Sequence, residues 1–312
     1  MQELDVILIY TMKQNDILSK EEFSNYYNPI LKSYSDSFKT MVKPLDSINE
    51  FIYGNNDFKT VDKITLLAES STDKYFNSLI FRTLGVREII HCRESKEKLN
   101  ILSTWNLITR SIRIIPTDFT ISSIGSQGFL SIPIYKMDTS LQAFDFIRLH
   151  IWDDSINKYI DLKKCNNFSI HSHSFFAKSW IITGKIKNDR YDFLTNSLNS
   201  THSFFEVVYN NSINEVNQHS SKAINKNINT ELLKISEEIH FKNGYYEISP
   251  SSLHRSGHLN SPLASATFFS FTGKDGLGES FVIGPKDITQ SEVNRKRSIS
   301  PIYLLNKIDK QL

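Results

Sequence analysis

Three histidines have the residue type and the spacing that a metal site requires. His171 and His173 are separated by one residue, and His254 lies much further along the chain. Side chains at i and i+2 of a β-strand project from the same face, so a third imidazole from a neighbouring strand would complete a three-nitrogen site. His258 is the alternative third ligand, but Gly257 predicts a turn there, so His254 is preferred.

Three further side chains could orient a substrate beside such a metal. Arg148 could bind a carboxylate through two parallel hydrogen bonds if its strand face points inward. Tyr245 and Glu247 share one face of a predicted strand, so one of them could supply a proton or a hydrogen bond. The alternatives are a solvent-facing Arg148, and a purely structural role for Tyr245 and Glu247.

Composition indicates a globular protein that acts on a small molecule. The 312 residues suffice for one large domain or two smaller ones, and 36 basic against 34 acidic residues leave a net charge of +2. This balance does not favour nucleic acid or an anionic membrane as a partner. Cys92 and Cys165 form no Cys-x-x-Cys motif, which favours a reducing compartment. Residues 1–10 lack the basic start of a secretion signal, so we expect a cytoplasmic protein.

The hydrophobic pattern divides the chain near residue 140. Residues 1–139 predict a mainly helical N-terminal domain, in which Ser19 and Glu22 form a capping box at the start of an amphipathic helix. Pro29 should break or restart that helix, because proline lacks an amide hydrogen. Another helix is predicted to begin at Ser95.

Residues 140–290 predict an all-β domain. Short alternating runs without long intervening helices argue for an antiparallel sandwich or barrel. An Asn-rich stretch at about 210–232 has little apolar material and predicts a surface insertion, while residues 291–312 form a C-terminal tail. The predicted strands are 144–152, 180–186, 204–209, 244–249 and 264–271.

The histidine motifs resemble those of the cupin superfamily. His171, His173 and Gly184 match part of its first motif, in which His-x-His is followed by a glutamate and a glycine; the second motif is matched by Gly244, Pro250 and His254. The resemblance covers about residues 140–285. It implies an α+β chain in which the helical N-terminal domain is followed by an all-β double-stranded β-helix, the cupin jelly-roll barrel, with a metal in its mouth.

Departures from the cupin pattern narrow the implied chemistry. Ala177 stands where the motif has glutamate, Ser252 replaces a glycine, and no glycine lies six positions before His171. Without this glutamate, the sequence resembles the three-histidine cupins, such as the thiol dioxygenases. This resemblance implies a non-haem iron dioxygenase that acts on a small-molecule substrate. The resemblance favours Fe(II) over Mn, Ni or Zn as the cofactor. A ligand-binding cupin without catalysis, a metal-dependent isomerase or lyase, and a homodimer are left open.

Overall fold

The computed structural model describes residues 17–38, 45–116, 122–124, 127–209, 221–259, 263–293 and 299–312. The chain forms two compact units. The first comprises Met1–Lys98 and Ser103–Pro116, and the second comprises Leu99–Leu102 and Thr117–Leu312.

The first unit is helical. It contains the two-stranded antiparallel pair β1 (Ile17–Ser19) and β2 (Phe58–Thr60), with the helices α1 (Lys20–Phe38), α2 (Leu45–Tyr53), α3 (Val61–Ser70), α4 (Lys74–Ser95) and most of α5 (Ile101–Arg113). Ser95 ends α4 and does not begin a helix as predicted, because Lys96 adopts a left-handed φ of 60° that terminates α4. None of the helices among the described residues is both long and apolar enough to cross a bilayer.

Helix α1 begins where the capping box predicts. The amide of Glu22 donates to Ser19 Oγ at 3.0 Å, which satisfies one of the unpaired amides of the first turn. The predicted break at Pro29 is wrong, since α1 continues through it. Phe23 and Ile30 are fully buried on either side, so packing offsets the backbone hydrogen bond that proline cannot make.

The second unit is mainly β-structure. Its strands are β3 (Ser123–Ile124), β4 (Leu130–Met137), β5 (Asp145–Trp152), β6 (Ile170–His171), β7 (Phe175–Thr183), β8 (Lys185–Thr195), β9 (His202–Tyr209), β10 (Ser221–Phe241), β11 (Tyr245–Ile248), β12 (Leu253–His258), β13 (Ser265–Leu277), β14 (Val282–Pro285) and β15 (Gln290–Val293). A 3-10 helix (Asp154–Tyr159) and α6 (Leu162–Asn167) precede β6, and α7 (Ile302–Asp309) lies near the C-terminus.

These strands form two antiparallel sheets. The six-stranded sheet has the order β11-β7-β13-β5-β4-β3, and the seven-stranded sheet has the order β15-β10-β8-β12-β6-β14-β9. Strands β5, β7, β11 and β13 lie in the first sheet, whereas β6, β8, β10 and β12 lie in the second. Although β8, β9 and β10 follow one another in the same sheet, the chain otherwise crosses from one sheet to the other at each step from β5 to β14, as in a jelly roll. The predicted α+β class, with helices followed by a cupin-like jelly roll, is confirmed.

Several element boundaries differ from the sequence predictions. β3 and β4 precede residue 140 and pair within the six-stranded sheet. The predicted strand at 180–186 is two strands, β7 and β8, because Gly184 turns the chain with a φ of +77°. The predicted tail, residues 291–312, contains all of α7 and all of β15 except Gln290.

Part of the Asn-rich stretch, predicted as a surface insertion at about 210–232, belongs to a β-strand. Residues 210–220 lie outside the described residues, but β10 begins at Ser221 and pairs with β9, β15 and β8 along its length. Ladder hydrogen bonds join backbone groups, so polar side chains can occupy a strand whose outer face meets solvent.

An apolar core lies within the second unit. It combines residues from β5, β7, β8, β11 and β13, namely Trp152, Ala177, Ile181, Ile186, Tyr246, Ile248 and Phe269, with Phe129 and Phe271 packed against them. Tyr246 and Ile248 alternate with exposed Tyr245 and Glu247 along β11, so the strand has one face toward this core and one toward solvent.

Gly184 is essential to the turn that links the two sheets. A Cβ at this position would overlap Ser265 Oγ and would lie 2.8 Å from the carbonyl oxygen of Ala264. We expect Gly184→Ala to lower the free energy of unfolding by about 2 kcal/mol or more, because it combines a clash with an unfavourable φ. Urea denaturation followed by circular dichroism measures this difference.

Gly257→Ala is the matched control. Gly257 also lies in the second unit, but a Cβ there meets no atom within 4 Å and its φ is outside the left-handed region. Equal destabilisation by the two substitutions would contradict the proposed role of the Gly184 turn.

Candidate metal centre

Backbone pairing brings His171 and His254 together. β6 and β12 are neighbours in the seven-stranded sheet, and their register places His254 directly opposite His171. His173 follows in the short link between β6 and β7. The ring centroids of the three histidines are separated by 4.3 to 4.8 Å, and one ring nitrogen from each lies within 4.8 Å of the others. The structure therefore gathers all three histidines that the sequence analysis selected.

Loop hydrogen bonds hold the link that carries His173. The amide of Ser251 donates to the carbonyl oxygen of His173 at 2.9 Å, and the amide of Ser172 donates to the carbonyl of Phe281 at the same distance. Ser172 Oγ also donates to the carbonyl of Glu279 at 3.0 Å. The segments before β12 and β14 thus fasten the backbone on which the histidine cluster is built.

The outer nitrogens of two histidines are engaged by the backbone. His171 Nδ1 lies 2.9 Å from the carbonyl oxygen of Ser169, and His254 Nδ1 lies 3.1 Å from that of Ser252. A carbonyl oxygen can only accept, so each Nδ1 carries the proton and each Nε2 keeps its lone pair. This second-sphere arrangement is typical of metal-binding histidines.

The site favours neutral imidazoles. Burial lowers the pKa of His173 and of His254 well below the usual range, and the charge on a protonated His171 would lower both further. A metal binds the neutral ring, so His173 and His254 are held in the binding form near neutral pH. In the part of the chain that the structure describes, no Asp, Glu or Cys joins these three side chains.

His258, the alternative third ligand, is not part of the cluster. Its Nε2 lies 3.4 Å from Asp154 Oδ1, at the far end of β12 from His254. Geometry therefore favours His254, the residue preferred from the sequence.

Arg148 lies on the face of β5 that points toward the interior, which was the condition for its predicted role in substrate binding. It shares one face of β5 with Phe146, His150 and Trp152, and Trp152 belongs to the apolar core. The Arg148 guanidinium lies 4.2 Å from the Phe146 ring centroid. Burial is the main cause of the lowered pKa of His173, and the positive charge of Arg148 lowers this pKa further.

Tyr245 and Glu247 lie on the other face of their strand. Tyr245 is 55% exposed, and Glu247 forms an ion pair of 2.9 Å with Lys178. The Lys178 ammonium also lies 4.2 Å from the Tyr245 ring centroid. The structure does not bring either side chain to the histidines; Tyr246 and Ile248 occupy the inner face instead.

Ala177, at the position of the glutamate in the cupin motif, is buried in the core. It lies opposite Phe271 on β13 and opposite Ile248 on β11. Phe271 in turn contacts His173, with ring centroids 4.8 Å apart. Apolar and aromatic groups thus line this side of the cluster.

The sequence analysis did not select His150, which is buried among aromatic rings. Its ring centroid lies 4.3 Å from that of Phe129 and 5.1 Å from that of Phe269. Among the described residues, the buried polar atoms in this region that have no hydrogen-bond partner include His150 Nε2, Trp152 Nε1 and Thr267 Oγ1. Thr267 lies directly opposite His150 on β13. The alternation of β5 could have revealed His150, because it shares a face with Arg148.

Gln127 was also missed, and no sequence signal marks it. It lies in the turn between β3 and β4, and its amide nitrogen is 2.9 Å from both ring nitrogens of His171. It is therefore a direct neighbour of the candidate metal centre.

Comparison with known proteins finds matches among solved structures but not among family models or curated proteins. No family model matches the sequence, and no curated protein matches it. Two of the similar structures are the hydroxypropylphosphonic acid epoxidase from S. wedmorenis and FeII HppE. Each is 7% identical to the chain and has a TM-score of 0.27. Each alignment covers 68% of this chain and 96% of the other chain. Fe(II)-HppE with the alternative substrate (S)-1-HPP shares 8% identity at the same coverage and TM-score. At these values the reaction must be argued from the site itself.

Substitution of His150 should change how stability depends on pH. Burial and the charge of Arg148 lower the pKa of His150 well below its usual value, so below about pH 6.5 the unfolded chain binds a proton that the folded chain does not. Stability therefore falls as the pH drops below that value. We expect His150→Phe, which keeps a ring in the aromatic pocket, to reduce the slope by about 1.4 kcal/mol per pH unit.

Urea denaturation of metal-free protein between pH 8 and pH 5 measures this slope. At pH 7.5 to 8 the two proteins should show the same dependence on pH, which serves as the internal control. An unchanged slope between pH 6.5 and pH 5 would show that His150 does not remain neutral in the folded chain.

Proposed function

We propose that His171, His173 and His254 bind a divalent metal ion and that the protein is a metal-dependent enzyme of small-molecule metabolism. The observation that carries the proposal is the orientation of His171 and His254, whose Nδ1 atoms face backbone carbonyls. Nε2 is consequently the nitrogen of each ring that would bind the metal, and at His171 the ion would displace the Gln127 amide nitrogen that lies 2.9 Å away. Metal–nitrogen bonds of about 2.1 Å require nitrogens no more than about 4.2 Å apart, so binding draws the three rings slightly closer.

The donor set fits a transition metal. Ca²⁺ and Mg²⁺ prefer oxygen ligands, whereas neutral imidazoles suit iron, zinc, copper and nickel. Three neutral ligands also leave the full charge of the ion and further coordination positions open to a substrate. The sequence resemblance to three-histidine cupins favours Fe(II), which would supply oxygen activation at this site. A non-haem iron oxygenase is therefore the specific activity we propose.

The surroundings favour a small substrate with an anionic group. Arg148 shares the inner face of β5 with His150, and its guanidinium can pair with a carboxylate in a bidentate manner. His150, Trp152 and Thr267 each present a buried polar atom that a substrate could satisfy. Phe269 and Phe271 contact His173 and would exclude water from one side of the reacting groups.

Metal content tests the proposal most directly. We expect wild-type protein, loaded anaerobically with Fe(II) and desalted, to retain close to one iron per chain. His171→Ala, His173→Ala and His254→Ala should each lose most of it, because two imidazoles hold a divalent ion far less tightly than three. Elemental analysis gives the stoichiometry, and a thermal shift on adding Fe(II) should be present in the wild type and absent from the three cluster variants.

His258→Ala is the matched control, since His258 lies on the same strand as His254 but outside the cluster. It should retain iron and the thermal shift. Equal iron in the wild type and in the three cluster variants would overturn the metal site.

Oxygen uptake distinguishes the reaction class. The iron-loaded wild type should consume oxygen with one or more small carboxylic acids, and His171→Ala should not. A substrate that is converted without oxygen uptake would identify an isomerase or lyase, and a tightly bound but unconverted molecule would identify a ligand-binding protein.

A further inference from the structure

The inner faces of β5 and β13 carry a group of buried polar side chains. His150 and Trp152 share one face of β5, and Thr267 lies directly opposite His150 on β13. The three residues are only 6%, 3% and 0% exposed, respectively. Among the residues that the structure describes, His150 Nε2, Trp152 Nε1 and Thr267 Oγ1 have no hydrogen-bond partner. Although they are neighbours across the strand pair, His150 Nε2 and Thr267 Oγ1 therefore do not bond to each other.

Aromatic rings pack against this group. The ring centroid of Phe129 lies 4.3 Å from that of His150 and 4.9 Å from that of Trp152. The ring centroid of Phe269 lies 5.1 Å from that of His150. Phe129 follows Gly128, whose φ of +82° turns the chain between β3 and β4. Phenyl side chains carry no polar atom, so these rings shield the group from water without satisfying it.

The group adjoins the candidate metal centre through Phe269. This ring contacts His173, with centroids 6.1 Å apart, as well as His150. Phe269 is thus a neighbour shared by a proposed metal ligand and by the polar group. A substrate that packs on the Phe269 ring can meet both.

Unsatisfied polar atoms in such a place indicate a ligand. Buried polar groups of folded proteins nearly always have a hydrogen-bond partner, whether from protein, water or a bound molecule. Binding sites for small molecules are mostly apolar and contain a few fixed polar groups that orient the ligand. His150, Trp152 and Thr267 among their aromatic neighbours have this composition.

The three polar atoms restrict what they can bind. Trp152 Nε1 can only donate, the Thr267 hydroxyl can donate or accept, and a neutral His150 nitrogen does one or the other according to the tautomer. A hydroxyl or carbonyl oxygen accepts from Trp152, whereas an ammonium group has donors alone. The causes that lower the pKa of His150 are burial and the charge of Arg148, and no acidic side chain of the described residues is among them. Nothing here would compensate the charge of an ammonium group.

We propose that His150, Trp152 and Thr267 form a subsite for an uncharged oxygen of the substrate, a hydroxyl or carbonyl group. The subsite selects oxygenated carboxylic acids over amino acids of the same carbon skeleton. Phe129 and Phe269 pack against that skeleton. The inference rests on the proposed function, and it narrows the substrate class from small anions to small hydroxy or oxo acids.

Four-carbon acids of matched skeleton test the subsite. Protein loaded with Co(II) is titrated in a calorimeter with butyrate and with its hydroxy, oxo and amino derivatives, each substituted at one carbon of the chain. We expect at least one hydroxy or oxo acid to bind about 10-fold or more tightly than butyrate, because butyrate leaves the polar atoms unpaired. The amino acids should bind no more tightly than butyrate.

Thr267→Val and Trp152→Phe each remove one polar atom and keep an apolar side chain in the pocket. We expect both to lower the ratio of the affinity for the preferred oxygenated acid to the affinity for butyrate toward one. A purely structural defect would weaken the two acids alike and leave the ratio unchanged. The two variants are independent, so the test survives if one of them does not fold.

Thr272→Val is the matched control. Thr272 is fully buried on β13 like Thr267, but it lies five residues further along and so on the opposite face of the strand. It should keep the wild-type ratio. Circular dichroism establishes that each variant is folded.

The outcomes separate the subsite from the metal site. A preference for an oxygenated acid that Thr267→Val and Trp152→Phe remove supports the subsite. Equal binding of butyrate and its oxygenated derivatives, tighter binding of an amino acid, or binding of none of them overturns the subsite, while retained Co(II) leaves the metal site intact. Failure of the wild type to retain Co(II) or Fe(II) overturns the proposed function and the inference with it.

Discussion

Hydrogen bonding between β6 and β12 sets His171 directly opposite His254, and the candidate metal centre depends on this register. Residues opposite each other on an antiparallel pair have Cβ atoms about 4.5–5.5 Å apart, close enough for two imidazoles to share one ion. A slip of one residue would turn His254 to the other face of the sheet. Pairing of β12 with β8 over six residue pairs holds the register, and the hydrogen bonds of Ser172 and Ser251 bring His173 to the same place.

Electrostatics give the site its chemical character. The cluster contains no carboxylate among the described residues, and Arg148 adds a positive charge from the facing sheet. Burial lowers the pKa values of His150, His173 and His254 and so favours their neutral forms. Several positive charges are therefore not buried together among the aromatic rings. A bound divalent ion would make the site strongly positive, which suits an anionic substrate. In the proposed enzyme, Arg148 and the polar atoms of Trp152 and Thr267 would select the substrate.

Much of this arrangement can be predicted from local patterns. Capping at Ser19 marked the start of α1, and alternation marked β5, β9 and β11 to within about two residues and the start, but not the end, of β13. Other predictions failed where long-range contacts override local preference. Pro29 stays within α1 because Tyr27 and Ile30 beside it are buried. Residues 221–232 of the Asn-rich stretch join β10 because three other strands supply hydrogen-bond partners. Neither the packing around Pro29 nor the pairing partners of β10 can be predicted from the residues adjacent in the sequence.

The sequence by itself determined which side chains could form a three-nitrogen site and which residues share a strand face. Spacing sets relative orientation, so Arg148 must lie with His150, and Tyr245 with Glu247. Only the tertiary structure decided that the first pair faces the interior and the second faces solvent, because this depends on which side of each sheet is covered. The approach of Gln127 was likewise decided by tertiary packing. It comes from a turn more than forty residues away, and no periodic pattern links it to His171.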